Sequence, residues 1–229
     1  MNYFKKIICI YKINVIHKMG IQERKKREKV LRQQQIQEAA KELFLLKGFN
    51  STTIEDIAKK AELSPATIYL YFKNKDELYV SLNLISIQYF TNKIKKIHDD
   101  SKLSVEEKIL KIKDAMYKMY KYDPLMLRNI MHIQMEDTLL NISRNLVNKI
   151  NNLATEVMGM IAHIYEEGVR QGKLKSGRSM AHADIMWGIF TGLVMWEESK
   201  RRFNPKKDFL KTTLDKAFDI FLEGIKKGR

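Results

Sequence analysis

Cysteine occurs once in the 229 residues, as Cys9, and proline only three times. A single thiol closes no internal disulfide, and no Cys/His spacing suits a structural zinc, so the chain is expected in a reducing compartment, the cytoplasm. Strand-like alternation is missing as well, which with three prolines and ten glycines points to an all-α protein. Residues 1–20, MNYFKKIICIYKINVIHKMG, lack the uninterrupted apolar run and small-residue cleavage site of a signal peptide. Lys5, Lys6 and Lys12 leave the segment too charged, and its length too short, to span a membrane, so no membrane partner is expected. The segment reads as an N-terminal extension ahead of a start at Met19, with a basic arm or membrane-surface helix as the second reading. Catalytic constellations are absent too: there is no glycine-rich phosphate loop and no Gly-x-Ser-x-Gly elbow. Glu166-Glu167 and Glu197-Glu198 are consecutive and so point to different sides of a helix. His17, His98, His132, His163 and His182 contain no i, i+4 pair, so no metal site, no cofactor and no enzyme is expected.

What is abundant is positive charge. The formal net charge is +15, and the first 80 residues hold 16 lysines and arginines against nine acids. Such a balance suits an anionic polymer. Gln22 to Lys47 is written as a helix, with Ile36, Ala39, Ala40, Leu43 and Phe44 on one face and Gly48 as its stop. Its front carries Arg24, Lys25, Lys26, Arg27, Lys29 and Arg32, placed to displace counterions from a nucleic-acid backbone. The next stretch, Asn50 to Leu78, reads as two short helices and a tight turn. Thr53 fits an N-cap with Asp56 three residues on, and Ile54, Ile57, Ala58 and Ala61 form one buried face. Glu62-Leu63 makes the turn, Ser64 is a second N-cap and Pro65 takes the first helical position. With Ile68 and Phe72 pointing inward, Pro65, Ala66, Thr67, Tyr69 and Tyr71 are left toward solvent, an odd set for a surface serving only solubility.

The pattern Gly48, Thr52-Thr53, Ile57-Ala58, Ala61, Ser64-x-x-Thr67-Ile68-Tyr69-x-Tyr71-Phe72-x-Asn74-Lys75-x-x-Leu78 resembles the tetracycline-repressor (TetR) family of helix-turn-helix regulators. The match covers roughly residues 30 to 80 and departs at Glu62, where the family often has Gly, and at Glu55, where a base-reading basic residue can stand. The resemblance implies a three-helix DNA-binding domain over residues 21–77 and a larger helical ligand-binding and dimerisation domain over residues 78–229. It further implies double-stranded DNA with a palindromic operator as partner, read by a homodimer. By residue-for-residue match, Ala66, Thr67 and Tyr69 would touch base edges, with Pro65 shaping the helix start, while Thr53, Ser64, Thr67, Tyr71 and Lys75 would hold phosphates.

Beyond the motif the expected helices are 75–98, with Leu78, Leu82, Ile85, Tyr89, Ile94 and Ile97 inward, then 103–122, 125–132, 138–171, 179–200 and 205–226, the last capped by Asn204-Pro205. Between Ile185 and Trp196 almost every residue is apolar, more than one monomer can cover. Gly188, Gly192, Trp196, Leu214, Phe218 and Phe221 are the candidate dimer interface. Phe90, Met116, Tyr120, Met131, Met135, Met158, Ile161, Trp187, Phe190 and Met195 are the candidate pocket for a small apolar or amphipathic effector; the plainer reading of the methionines is gap-filling core. The whole implies a ligand-responsive transcriptional regulator, a repressor of efflux or fatty-acid metabolism genes. Its two recognition helices would sit about one DNA turn, ~34 Å, or a multiple apart, so a small tilt would release the operator. The alternative, an architectural DNA-binding protein without an effector, predicts no apolar cavity in the second domain.

Overall fold

The computed structural model describes residues 3–127, 142–204 and 208–228, and the backbone alone of residues 3–19. Eight helices stand among the described residues: α1 Tyr3–Lys47, α2 Ile54–Lys60, α3 Pro65–Tyr69, α4 Lys75–His98, α5 Val105–Tyr122, α6 Arg144–Arg170, α7 Ser179–Phe203 and α8 Leu210–Ile225. They fall into two compact units, Met1–Tyr79 and Val80–Arg229. No described helix is long and apolar enough to cross a membrane.

In the first unit α1 packs on α2 and α2 on α3. The buried side chains are Ile36, Ala39, Ala40 and Phe44 of α1 with Ile54, Ile57, Ala58, Ala61, Ile68 and Phe72. Phe44, Phe49 and Tyr79 stack around them, with ring centroids 4.6 to 5.6 Å apart. α1 starts at Tyr3, well before the expected Gln22. Gly20 alone costs about 1 kcal/mol against Ala in a helix, too little to end one, and the Arg24–Glu28 and Arg27–Glu23 pairs support the turns that follow. Gly48 does end it, at φ 81, with its N–H on the Phe44 carbonyl. Between α2 and α3 the turn runs through Glu62 at φ 55, a left-handed conformation that glycine adopts with less strain.

The second unit buries one main core and a smaller cluster of Val80, Ile142 and Leu146. Phe90 and Ile94 of α4, Ile109, Ile112 and Met116 of α5, Ile161 and Ile164 of α6, Phe190 of α7 and Phe218 of α8 all belong to the main core. Ser104 and Glu107 close a capping box at the start of α5. Several expected boundaries move. α4 turns Ile85 outward, and Tyr89 stacks on Tyr122 at 4.7 Å instead of entering the core. α6 begins at Arg144, and most of the helix expected over 125–132 lies outside the described residues, as do residues 138–141. α8 begins at Leu210, not 205. Asn204 is the C-cap of α7, and the first α8 amides are taken by acids instead: Glu197 accepts from Phe209 N–H and Asp208 from Leu210 N–H.

Candidate functional site

The head of the first unit is fixed by side-chain caps. Thr53 Oγ1 accepts the Asp56 N–H at 3.1 Å, and the Asp56 carboxylate accepts the Thr53 N–H at 2.9 Å, which completes a capping box. Lys47 reaches the same carboxylate at 2.6 Å. The Lys47 hydrogen bond first, and then those of Thr53, hold the Asp56 carboxyl down at about 2. A depressed carboxylate stabilises the fold fully above its ordinary value of 3.8, and that part is lost as pH falls through about 2. Thermal melts over this range should therefore show the wild type losing its lead over Asp56→Asn, whereas a lead that persists in strong acid would assign the cap to packing.

The start of α3 is as tightly held. Ser64 Oγ accepts the Thr67 N–H at 3.1 Å and lies 2.8 Å from the Thr67 hydroxyl, and Pro65 occupies the first helical position. Ile68 and Phe72 are buried, so they anchor the helix, and Ala66 and Tyr69 on the other side are exposed, Tyr69 by 54%. Pro65, Thr67 and Tyr71, expected toward solvent, are half-buried. Leu70, which the sequence reading passed over, is 78% exposed beside Tyr69. Its neighbours Tyr69 and Tyr71 are motif positions, and helical spacing, which its own αR backbone keeps, sets it opposite the buried Ile68.

Lys75 is placed otherwise than on a phosphate. Its ammonium donates to the Phe49 and Thr52 carbonyls, both at 2.9 Å, and lies 4.2 Å from the Phe49 ring centroid. Two of its three N–H groups are thereby satisfied inside the head, where they tie the start of α4 to the turn before α2. Lys75→Met should lower head stability by about 1.5–3 kcal/mol and leave the salt slope of DNA binding unchanged. A slope lower by about one unit in a salt titration would return Lys75 to the phosphates.

In the second unit a cavity of about 310 Å³ is lined by Ile87 and Phe90 of α4, Met119 of α5, Met126, then Ile150, Ala154, Val157 and Met158 of α6, and Asp184 and Trp187 of α7. Asp184, exposed, is the only ionisable side chain among the described lining residues. Of the ten residues expected at a pocket, Phe90, Met158 and Trp187 line it. Met116, Ile161 and Phe190 are instead packed core, because their helix faces turn toward one another. Tyr120 is core as well: its hydroxyl donates to Glu198 and accepts from Arg201, and burial, then Glu198, push its pKa up. Met195 lines a separate depression with Pro124, Leu127, Val194, Glu198, Ser199, Arg201 and Arg202. Met131 and Met135 lie outside the described residues. Ile87, Met119, Met126, Ile150, Ala154, Val157 and Asp184 were missed.

Residues 36–82 match the family model of the bacterial regulatory proteins, tetR family, and residues 88–227 that of the QacR-like protein, C-terminal region. The chain belongs to the tetR family. It is a DNA-binding transcriptional regulator. Among its relatives, the fatty acid metabolism regulator protein of Bacillus subtilis is 27% identical over 195 residues, 83% of this chain and 94% of that one. The HTH-type transcriptional regulator QacR of Staphylococcus aureus is 25% identical over 194 residues, 82% of this chain and 95% of that one. The fold is similar to that of FadR from Bacillus subtilis in complex with stearoyl-CoA, with a TM-score of 0.65 at 22% identity over 84% of this chain and 98% of that one.

For a TetR-family chain the remaining surface of note is α7. Ile185, Gly188, Gly192, Met195, Trp196, Ser199 and Phe203 recur at helical spacing and are all exposed, Trp196 by 62% and Phe203 by 89%. A Cβ built on Gly188 or Gly192 meets nothing within 4 Å. Leu214 and Phe218, expected at the same interface, are buried in the regulator's own core, and Phe221 packs against that core, because α8 turns them toward α5 and α7. Ile220 is the large apolar side chain that α8 leaves exposed. The histidines, read as scattered, are not all so: His98 Nε2 and His163 Nδ1 are 2.9 Å apart, with His98 Nδ1 at 2.7 Å from Asp99. Among the described residues no group of three potential ligands could hold a metal ion.

Proposed function

We propose that this TetR-family regulator acts in the cytoplasm as a homodimer that leaves a palindromic operator when an apolar or amphipathic small molecule enters the second unit. The observation that carries the reading is the cavity of about 310 Å³ together with the helix that lines it: α4 begins at Lys75, inside the head, and contributes Ile87 and Phe90 to the cavity. An occupant that displaces these two side chains acts on a helix whose first turn is the end of the head. The exposed apolar stripe of α7 supplies the dimer face, at which Gly188 and Gly192 allow close approach. Ala66 and Tyr69 read base edges, and the caps at Thr53 and Ser64, with Thr67 and Tyr71, set register on phosphates.

At the ~30 Å³ share of a water molecule in the liquid, the cavity takes a ligand of about ten non-hydrogen atoms. Each methylene buried there contributes ~0.8 kcal/mol, so a short acyl chain reaches useful affinity, whereas a sugar phosphate finds no cation among the described lining residues. A fatty acyl compound and control of fatty-acid metabolism genes fit this lining, and the Bacillus subtilis relative is named for that process. An architectural protein without an effector has no use for such a space. The test is a thermal-shift screen of lipophilic and polar metabolites followed by operator competition. If a hit weakens operator binding ~100-fold, the coupling is about 2.7 kcal/mol, and operator DNA weakens the hit by the same factor. Hits confined to polar anions, or lipophilic hits that leave DNA affinity untouched, would overturn the reading.

A further inference from the structure

Asn83 on α4 is 0% exposed, and neither its side-chain oxygen nor its side-chain nitrogen has a hydrogen-bond partner among the described residues. A carboxamide carries two donors and an acceptor oxygen with two lone pairs, and in native proteins the great majority of buried polar atoms are paired. The position of this exception is informative. Asn83, Ile87 and Phe90 stand at i, i+4 and i+7 and so share one face of α4, and Ile87 and Phe90 line the effector cavity. Val80, one turn before Asn83, forms a small apolar cluster with Ile142 and Leu146, against which Leu84, the residue after Asn83, and Ile150 pack, and Ile150 lines the cavity as well. Asn83 is not itself among the lining residues; it stands on α4 one turn before Ile87, between that cluster and the cavity, and the buried Ser86 hydroxyl near it on α4 is already paired with Asp123.

We propose that Asn83 is the polar anchor of the effector cavity, and that the effector ends in an uncharged group that both donates and accepts hydrogen bonds, such as a primary amide. This rests on the effector reading of the cavity given above. An apolar side chain of similar size would fill the site without an unpaired amide, so the carboxamide is explained by an occupant that pairs with it. An anionic end is disfavoured, because Asn83 brings no charge, no cation lines the cavity among the described residues and Asp184 opposes a second negative charge. A head group that only accepts would satisfy the amide nitrogen and leave the oxygen unpaired.

The experiment measures binding of octanamide, 2-nonanone and octanoate, matched in length, to the full-length protein by calorimetry, in the wild type and in Asn83→Leu, with Asn83→Ala in reserve should leucine disturb folding. In the wild type octanamide should bind about tenfold more tightly than 2-nonanone, a difference of 1.4 kcal/mol, and octanoate more weakly than octanamide. In Asn83→Leu the amide advantage over the ketone should vanish while the ketone still binds. The ligand-free variant should melt about 2–4 °C higher, as removal of an unpaired buried amide requires. An amide-to-ketone ratio of one in the wild type, or a ratio unchanged in the variant even with raised melting, would overturn the anchor and leave the cavity standing. Failure of all three probes to bind the wild type would overturn the effector reading and the anchor together.

Discussion

Leucine in place of Gly192 should convert the regulator to monomers and lower its operator affinity by on the order of 10²–10⁴, although no DNA contact is touched. The argument starts from the protomer, where nothing lies within 4 Å of a Cβ at this position, so the larger side chain is accommodated without cost to the single chain. On the same face Ile185, Met195, Trp196 and Phe203 are exposed, and a second copy laid along α7 would bring its backbone close at Gly188 and Gly192. Four added carbons at that crossing hold the two helices apart. The loss falls on DNA binding because one head on one half-site lacks the effective concentration that the second head gains from being tethered. Sedimentation at low micromolar concentration reads the assembly, and an unchanged thermal melt of the monomer shows that the fold is intact. A variant that remains fully dimeric would move the interface elsewhere.

Alanine at Tyr69 should cost about 1–3 kcal/mol on operator DNA and much less on random sequence. The phenol is exposed by 54% at the end of α3, a helix whose start is fixed by Ser64, Pro65 and Thr67 and whose inner side is fixed by Ile68. A ring held on so rigid a support reads a thymine methyl at little entropic cost. Its hydroxyl would otherwise serve a phosphate. The two roles separate in one titration pair: a base reader loses the operator and keeps random DNA, and a backbone contact loses both equally.

Local chemistry was legible from the sequence, and side-chain direction at longer range was not. Thr53 with Asp56, Ser64 with Pro65, and Gly48 act within a few residues of themselves, so their caps and stops could be read directly and stand as expected. Lys75 could not be read in this way. Its partners Phe49 and Thr52 lie more than 20 residues back, and an exposed-looking lysine at a helix start gives no sign of them. Pocket residues failed for a related reason. Met116 and Met119 are one turn apart on α5, alike in chemistry and both in the core, yet only Met119 also borders the cavity, a distinction set by how α5, α6 and α7 are rotated about their axes. Composition favoured Leu214 and Phe218 for a dimer face, but periodicity gives only that α8 has an apolar side, not whether that side meets its own protomer or a copy. The start of α8 depended on Glu197 and Asp208, two acids that the Asn204-Pro205 signature outweighed.

The far end of the chain is not a loose end. Lys175 N–H donates to the Ile225 carbonyl and Lys227 N–H to the Lys173 carbonyl, both at 2.9 Å, around the bridge that pairs Leu174 with Lys226. Lys175 Nζ adds a bond to the Gly224 carbonyl, and the Tyr165 hydroxyl holds the Lys175 carbonyl. Together these contacts make α7 and α8 a closed loop, buckled where most helical proteins fray. In hydrogen exchange the Lys227 amide should therefore be protected with the body of the second unit.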